Sequence, residues 1–165
     1  ESLAHAEGFY RAKEQLAPYA IEKRGGPSVG SLRAMENRVR ERARDADFSI
    51  VEGAGGVLVP LDREHTIAYL AAQLDLPTVL VARNELGVLS YTLTAVEALR
   101  KRKVSVHAVV LNHVDRGTRT DLSRSSNAEV LADYLPRIPI IRVPRVQGPG
   151  DMVDALTPLC KVLNL

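Results

Sequence analysis

Thr78-Val79-Leu80-Val81, a helix-length segment from about Leu89 to Lys101, and Val106-His107-Ala108-Val109-Val110-Leu111 follow one another along the chain, and their order decides the fold. Each apolar run has strand length and little polar alternation, the pattern of a strand buried on both faces. A helix between two such runs predicts a parallel pair joined by a crossover. The alternation extends outward from there. Upstream, Phe48-Ser49-Ile50-Val51 reads as a further buried strand and His65 to Leu74 as a helix. Downstream come a helix at Asn127 to Tyr134, a strand at Ile138-Pro139-Ile140-Ile141-Arg142-Val143 and a helix at Met152 to Leu163. The pattern predicts an α/β fold, a mostly parallel sheet with helices on both faces, as a single domain over residues 1–165. Residues 1–30 are weakly periodic, and Gly25-Gly26-Pro27-Ser28 marks a loop before a helix from about Ser31 to Arg44, with Ser31 as a fair N-cap.

A chain of 165 residues, 45% apolar and 25% charged, is long enough for one real hydrophobic core. The net charge of +2 arises from bases interleaved with acids, as in Arg38-Val39-Arg40-Glu41-Arg42-Ala43-Arg44-Asp45, so no single-sign stripe emerges. With five Tyr, two Phe and no Trp, the chain also lacks stacking platforms, and nucleic acid is not an expected partner. No run approaches membrane-span length and nothing resembles a signal peptide, so no membrane partner is expected. The single Cys160 has no second cysteine in the chain to pair with, fits a reducing cytoplasm and reads as core filler.

Ligands of parallel sheets collect beyond the carboxyl ends of the strands, so those ends hold the candidate residues. Val51-Glu52-Gly53-Ala54-Gly55-Gly56 places an acid at a strand terminus before three glycines. The acid is able to hold Mg²⁺, and glycines let backbone N–H groups approach phosphate oxygens; the same letters also suit a tight exit loop with Glu52 in solvent. Ala82-Arg83-Asn84-Glu85-Leu86-Gly87-Val88 leads into a helix with Ser90, Tyr91 and Thr92 near its start, a seat for a carboxylate or phosphate that any helix offers. Arg83, Asn84 and Glu85 read as a solvated loop. Leu111-Asn112-His113-Val114-Asp115 puts an amide at the rim that matches adenine's amine and ring nitrogen, or that simply forms a turn. Arg142-Val143-Pro144-Arg145-Val146 either walls a base pocket or ends a strand. His5, His65, His107 and His113 lack metal-site spacing; His107 reads as buried in a strand and the other three as surface residues.

Taken in order, these segments resemble the dethiobiotin synthetase family of the P-loop class, from about Phe9 to the C-terminus. The most specific part is Ile50-Val51-Glu52-Gly53-Ala54-Gly55-Gly56-Val57-Leu58-Val59-Pro60-Leu61; Tyr10-Arg11-Ala12-Lys13-Glu14-Gln15-Leu16-Ala17-Pro18, Leu80-Val81-Ala82-Arg83-Asn84-Glu85-Leu86-Gly87 and Val109-Val110-Leu111-Asn112-His113 follow the family's order. The resemblance implies a P-loop NTPase-like fold and an ATP- and Mg²⁺-dependent closure of a ureido ring from 7,8-diaminononanoate (7,8-diaminopelargonate) and CO₂. By position it implies Glu52 as metal ligand and catalytic residue, and Gly53, Ala54 and Gly55 along the phosphates. Asn112 and His113 would lie at adenine, with Val143, Pro144 and Arg145 as the far wall. Gly56, Gly87, Val88, Leu89 and Ser90 would lie at the diamine and its carboxylate, the helix start acting across a homodimer interface.

Two departures qualify what the resemblance implies. Ser90-Tyr91 stands where the family commonly has Asn-His, and no Gly-x-x-x-x-Gly-Lys-Ser/Thr occurs in the sequence. Gly25-Gly26-Pro27-Ser28-Val29-Gly30-Ser31 has no lysine and follows no buried strand, so it is not a phosphate loop. The expectation is therefore an incomplete domain with the first strand and phosphate loop absent, needing an N-terminal segment and inactive alone. A P-loop-less binding module and an amidation enzyme of the cobyrinate type are the competing readings.

Overall fold

A computed structural model describes residues 10–53, 55–113, 122–146 and 148–165. The element order is α1 (Pro18–Lys23), α2 (Leu32–Arg44), α3 (Ile67–Leu74), β1 (Thr78–Arg83), α4 (Val88–Lys101), β2 (Val106–Asn112), α5 (Ser123–Tyr134), β3 (Ile140–Val143) and α6 (Pro149–Leu163). The chain divides into two compact units, Glu1–Leu74 and Asp75–Leu165.

In the second unit the three strands lie in the order β1-β2-β3 and both pairs are parallel. Parallel neighbours need a crossover, and α4 and α5 supply the two. Val88, Thr92, Val96 and Leu99 recur at helical spacing and form the buried stripe of α4. Val88 and Val96 pack with Val109 and Leu111 of β2 and with Ala128 and Leu131 of α5, so both crossovers cover one face of the sheet. On the other face Ala108, Val110, Ile141 and Val143 meet Ala155, Leu156, Leu159 and Val162 of α6. Helices thus flank a parallel sheet on both sides, as the sequence pattern predicts. A register shift where Thr78 pairs Val106 but Val79 pairs Ala108 leaves His107 as an extra residue in β2. That bulge explains why Val106 joins the face of Val109 and Leu111 rather than that of Ala108.

The first unit has helices but, among the described residues, no strand of its own beyond an isolated Pro60–Thr66 bridge. Ser31 caps α2 as expected, its Oγ accepting from the Ala34 N–H at 3.4 Å. α1 was not legible in the weakly periodic start. It ends where Gly25, at φ +80°, turns the chain left-handed, so that the Gly25 N–H donates to Glu22 O and the Gly26 N–H to Ile21 O. Ile21, Met35, Val39, Leu61, Ala68 and Leu74 form this unit's buried apolar residues.

Two expectations about strands need correction. Phe48-Ser49-Ile50-Val51 is not a strand and is exposed, Ile50 at 83%; among the described residues no strand pairs with it, and an apolar run without a hydrogen-bonded neighbour forms no ladder. β1 is only half-buried, with Val81 exposed, because among the described residues it lies at an edge of the sheet and α6 lies over β2 and β3. The helix starts also shift: α5 begins at Ser123 and α6 at Pro149, each a few residues before the apolar pattern begins.

Candidate functional site

Parallel register fixes what shares the carboxyl edge of the sheet. Arg83 pairs Asn112, and Asn112 pairs Val143, so three strand ends stand level. The ladder runs one step further, for the Asn84 N–H donates to Asn112 O at 2.9 Å and the His113 N–H to Val143 O at 3.0 Å. Asn112, His113, Val143, Pro144 and Arg145 are therefore brought together at one rim. Asn112 and His113 are half-buried, Val143 is buried through its place on the α6 face, and Pro144 and Arg145 are exposed.

Behind this rim lies a polar cluster that the sequence did not advertise. Asn84, expected in a solvated loop, is 2% exposed, and Asn127 of α5 is equally buried. Asn84 Nδ2 lies 3.0 Å from His113 Nε2 and donates to Arg124 O at 3.1 Å. Its Oδ1 accepts from Asn127 Nδ2 at 2.8 Å, and Asn127 Nδ2 lies 3.5 Å from Glu85 O. A buried amide is tolerated only when its donors and acceptor are used, which is the case for Asn84. His113 is thus a half-buried, partnered ring rather than a surface residue. One signal for Asn127 was present: it stands four residues before Leu131, on the stripe that α5 buries. Arg83 is exposed and Glu85 half-buried, and the two form a 3.7 Å ion pair.

At the start of α4, Gly87 takes φ +96°, and a Cβ there would meet the Tyr91 ring at 3.3 Å. Val88 is 2% exposed in the core and its N–H donates to Glu85 O at 3.2 Å. Leu89 packs against the same core. Ser90 is exposed, as is Tyr91 beside it.

In the first unit, Glu52 and Gly53 are exposed, and so are Gly55 and Gly56; Ala54 lies outside the described residues. Gly53 has its freedom for a reason, since a Cβ would sit 2.8 Å from Ile67 Cγ2, and Gly55 turns at φ +86°. Beyond the glycines the chain folds back on α3. The Ile67 N–H donates to Val59 O and the Ala68 N–H to Val57 O, so first-turn amides of α3 are already used. Asp62 braces this hook: its Oδ1 accepts from the N–H groups of Glu64 (2.7 Å) and His65 (2.8 Å), and its Oδ2 lies 2.9 Å from His65 Nδ1. Burial pushes the Asp62 carboxyl up, but these hydrogen bonds and the His65 charge outweigh it and hold the group below its ordinary value. His65 is accordingly half-buried and paired, against the expectation of a surface residue, and His107 is half-buried within β2; His5 lies outside the described residues.

Among the described residues no group of three or more His, Cys, Asp or Glu is placed to hold a metal ion. Glu52 is an exposed carboxylate. That donor set fits Mg²⁺, which takes one or two carboxylates and keeps its waters or substrate phosphates, and it does not fit a protein-caged ion. No helix of the described residues is long and apolar enough to cross a membrane.

Comparison with known proteins agrees with this architecture. A family model described as an AAA domain matches residues 10–145. A protein of Anaeromyxobacter dehalogenans strain 2CP-1 named ATP-dependent dethiobiotin synthetase BioD is 41% identical over 129 residues, 78% of this chain and 56% of that protein. The proteins of the same name from Endomicrobium trichonymphae and Lysinibacillus sphaericus are 31% and 30% identical, over 72% and 91% of this chain. The chain spans only 56% to 62% of the length of these relatives. With an α/β sheet of parallel strands and a family match over most of its length, the chain belongs to the AAA-domain family, P-loop NTPase-like in fold, and its likeness within that family is to the dethiobiotin synthetases.

Proposed function

We propose that this chain is the base-reading and metal-holding part of an ATP-dependent dethiobiotin synthetase acting in biotin synthesis. The observation that carries the reading is the level register of Arg83, Asn112 and Val143, extended by the bond from the His113 N–H to Val143 O, which sets Asn112, His113 and Val143 side by side at one rim. Asn112 offers a donor and an acceptor to adenine. His113, Val143, Pro144 and Arg145 border the same edge, Pro144 stiffening the wall. Glu52 holds Mg²⁺, which offsets charge on the phosphoryl group in transfer. The backbone of Gly53, Ala54 and Gly55 borders the phosphates, and Gly56 the diamine. Gly87, Leu89 and Ser90 take the diamine carboxylate across a homodimer; Val88, whose N–H is engaged, contributes only by fixing the helix start.

The reaction balances without redox chemistry. One amine of 7,8-diaminononanoate adds CO₂ to form a carbamate, whose oxygen takes the γ-phosphoryl group of ATP as ADP leaves. The second amine then attacks the carbonyl carbon, phosphate departs, and the ureido ring closes with release of protons. A cytoplasmic setting suits these substrates. Residues 1–165 carry no Gly-x-x-x-x-Gly-Lys-Ser/Thr, so by themselves they are expected to bind ATP·Mg²⁺ weakly and to turn nothing over.

The test supplies the phosphate-loop segment of a dethiobiotin synthetase, fused or as a second chain, and follows ADP and dethiobiotin. Ring closure is expected to appear, and Glu52→Gln to lower it on the order of 100-fold or more. Full turnover in that variant would remove Glu52 from the metal site. If no such segment gives turnover while nucleotide still binds, the missing lysine motif favours the second reading, a binding module without catalysis.

A further inference from the structure

We propose that Asn84 and Asn127 are positioning residues for the base site, acting through His113, which they hold as a neutral ring with its proton on Nδ1. The inference rests on the reading of Asn112 as the base-contacting residue and deepens it. Its basis is a hydrogen-bond chain in which a backbone carbonyl fixes the orientation of each of the two amides. Arg124 O is an acceptor only, so the Asn84 atom 3.1 Å away from it is the nitrogen. Glu85 O pins Asn127 in the same sense, at 3.5 Å. With both orientations set, Asn127 Nδ2 donates to Asn84 Oδ1 at 2.8 Å, and Asn84 Nδ2 spends its second hydrogen on His113 Nε2 at 3.0 Å. A nitrogen that accepts carries no proton, so the ring is neutral and protonated at Nδ1.

The consequence is positional. Asn84 continues the ladder with its N–H on Asn112 O, and His113 continues it with its N–H on Val143 O. The chain from Asn127 to His113 therefore ties the exits of β1 and β2 to α5 on either side of the Asn112 peptide. Both asparagines are 2% exposed, so they cannot contact a ligand themselves and act only through the residues they hold.

The experiment uses residues 1–165 labelled with ¹⁵N and adenosine as the probe, which needs no phosphate loop. Long-range imidazole spectra at neutral pH are expected to show His113 with a protonated Nδ1 and an unprotonated Nε2; the opposite tautomer or a charged ring would overturn the proposal without any variant. Asn84→Asp places an acceptor against Nε2 and is expected to move the proton there, while Asn127→Asp removes the donor to Asn84 Oδ1 and is expected to loosen the amide's hold on the ring. Adenosine titration, followed on the Asn112 side-chain amide, is expected to weaken about tenfold in each variant. Asn127→Leu, matched in volume, gives a second test of affinity should the acidic variants unfold, with melting curves to verify folding. Unchanged adenosine affinity in folded variants, with Asn112→Ala abolishing it, overturns the positioning role and leaves the base site standing. No adenosine response in the parent chain, or one indifferent to Asn112→Ala, overturns the base-site reading and the role built upon it.

Discussion

Val109-Val110-Leu111 and Ile50-Val51 are written in the same apolar letters, yet Leu111 is fully buried while Ile50 is 83% exposed. The difference lies in their neighbours. β2 has a parallel partner on each edge and a helical layer on each face. Residues 48–51 have no strand beside them among the described residues. A strand is a property of what pairs with it as much as of its own side chains, because backbone N–H and C=O groups must find partners wherever they leave water. The two units differ in the same way: the second layers helices on a parallel sheet, while the first packs its helices without a sheet among the described residues.

The largest expected effect breaks that contrast at its strongest point. Leu131 of α5 is fully buried between β2 and α4. Leu131→Ala is expected to destabilise the second unit by about 2–5 kcal/mol, the usual cost of a lost side chain plus its cavity. Ile50→Ala removes a similar side chain from an exposed site and is expected to change stability by no more than about 0.5 kcal/mol. Urea unfolding followed by circular dichroism measures both. Comparable losses would show that residues 48–51 are buried in solution.

The same contrast explains what was legible in advance. β1, β2 and β3 and their helices followed from apolar runs and helical periodicity, because each element's pattern agrees with the layer it joins. The exposed run at 48–51 misled because its letters carry no information about whether a partner strand stands beside it. Asn84 was missed for a related reason. In sequence it sits between Arg83 and Glu85, and two charged neighbours suggest solvent, but their exposed ion pair points outward while Asn84 turns inward onto His113 and Asn127. Only Asn127 left a trace, an amide on the stripe that otherwise holds Ala128 and Leu131.

In the first unit, a single backbone position is expected to cost less than a core side chain. Gly25 sits at φ +80° with no heavy atom within 4 Å of where a methyl group would stand, so the strain of Gly25→Ala is purely conformational. The turn it makes serves two hydrogen bonds at the end of α1. Gly25→Ala is expected to destabilise by about 1 kcal/mol, read as a shift of the urea midpoint at constant slope. A loss as large as that of Leu131→Ala would mean that the turn organises the whole unit rather than one helix end.

The smallest effect is electrostatic and concerns the hook beyond the glycines. The Asp62 carboxyl is raised by its burial but lowered further by the N–H groups of Glu64 and His65 and by the His65 ring, leaving it below its ordinary 3.8. A group whose pKa is depressed on folding stabilises the folded state above its unfolded value, and the contribution fades as pH falls through the folded value. Stability should thus decline below pH 3.8 as Asp62 takes up a proton, and Asp62→Asn should remove that part of the acid dependence. The side chain is about a quarter exposed, so water screens the pair and the effect is small. The Asp62 carboxyl carbon, followed by NMR from neutral pH downward, gives the decisive reading. Titration at or above 3.8 would mean that the bonds to Glu64 and His65 do not persist in solution, and the turn from Asp62 to His65 would lose its brace.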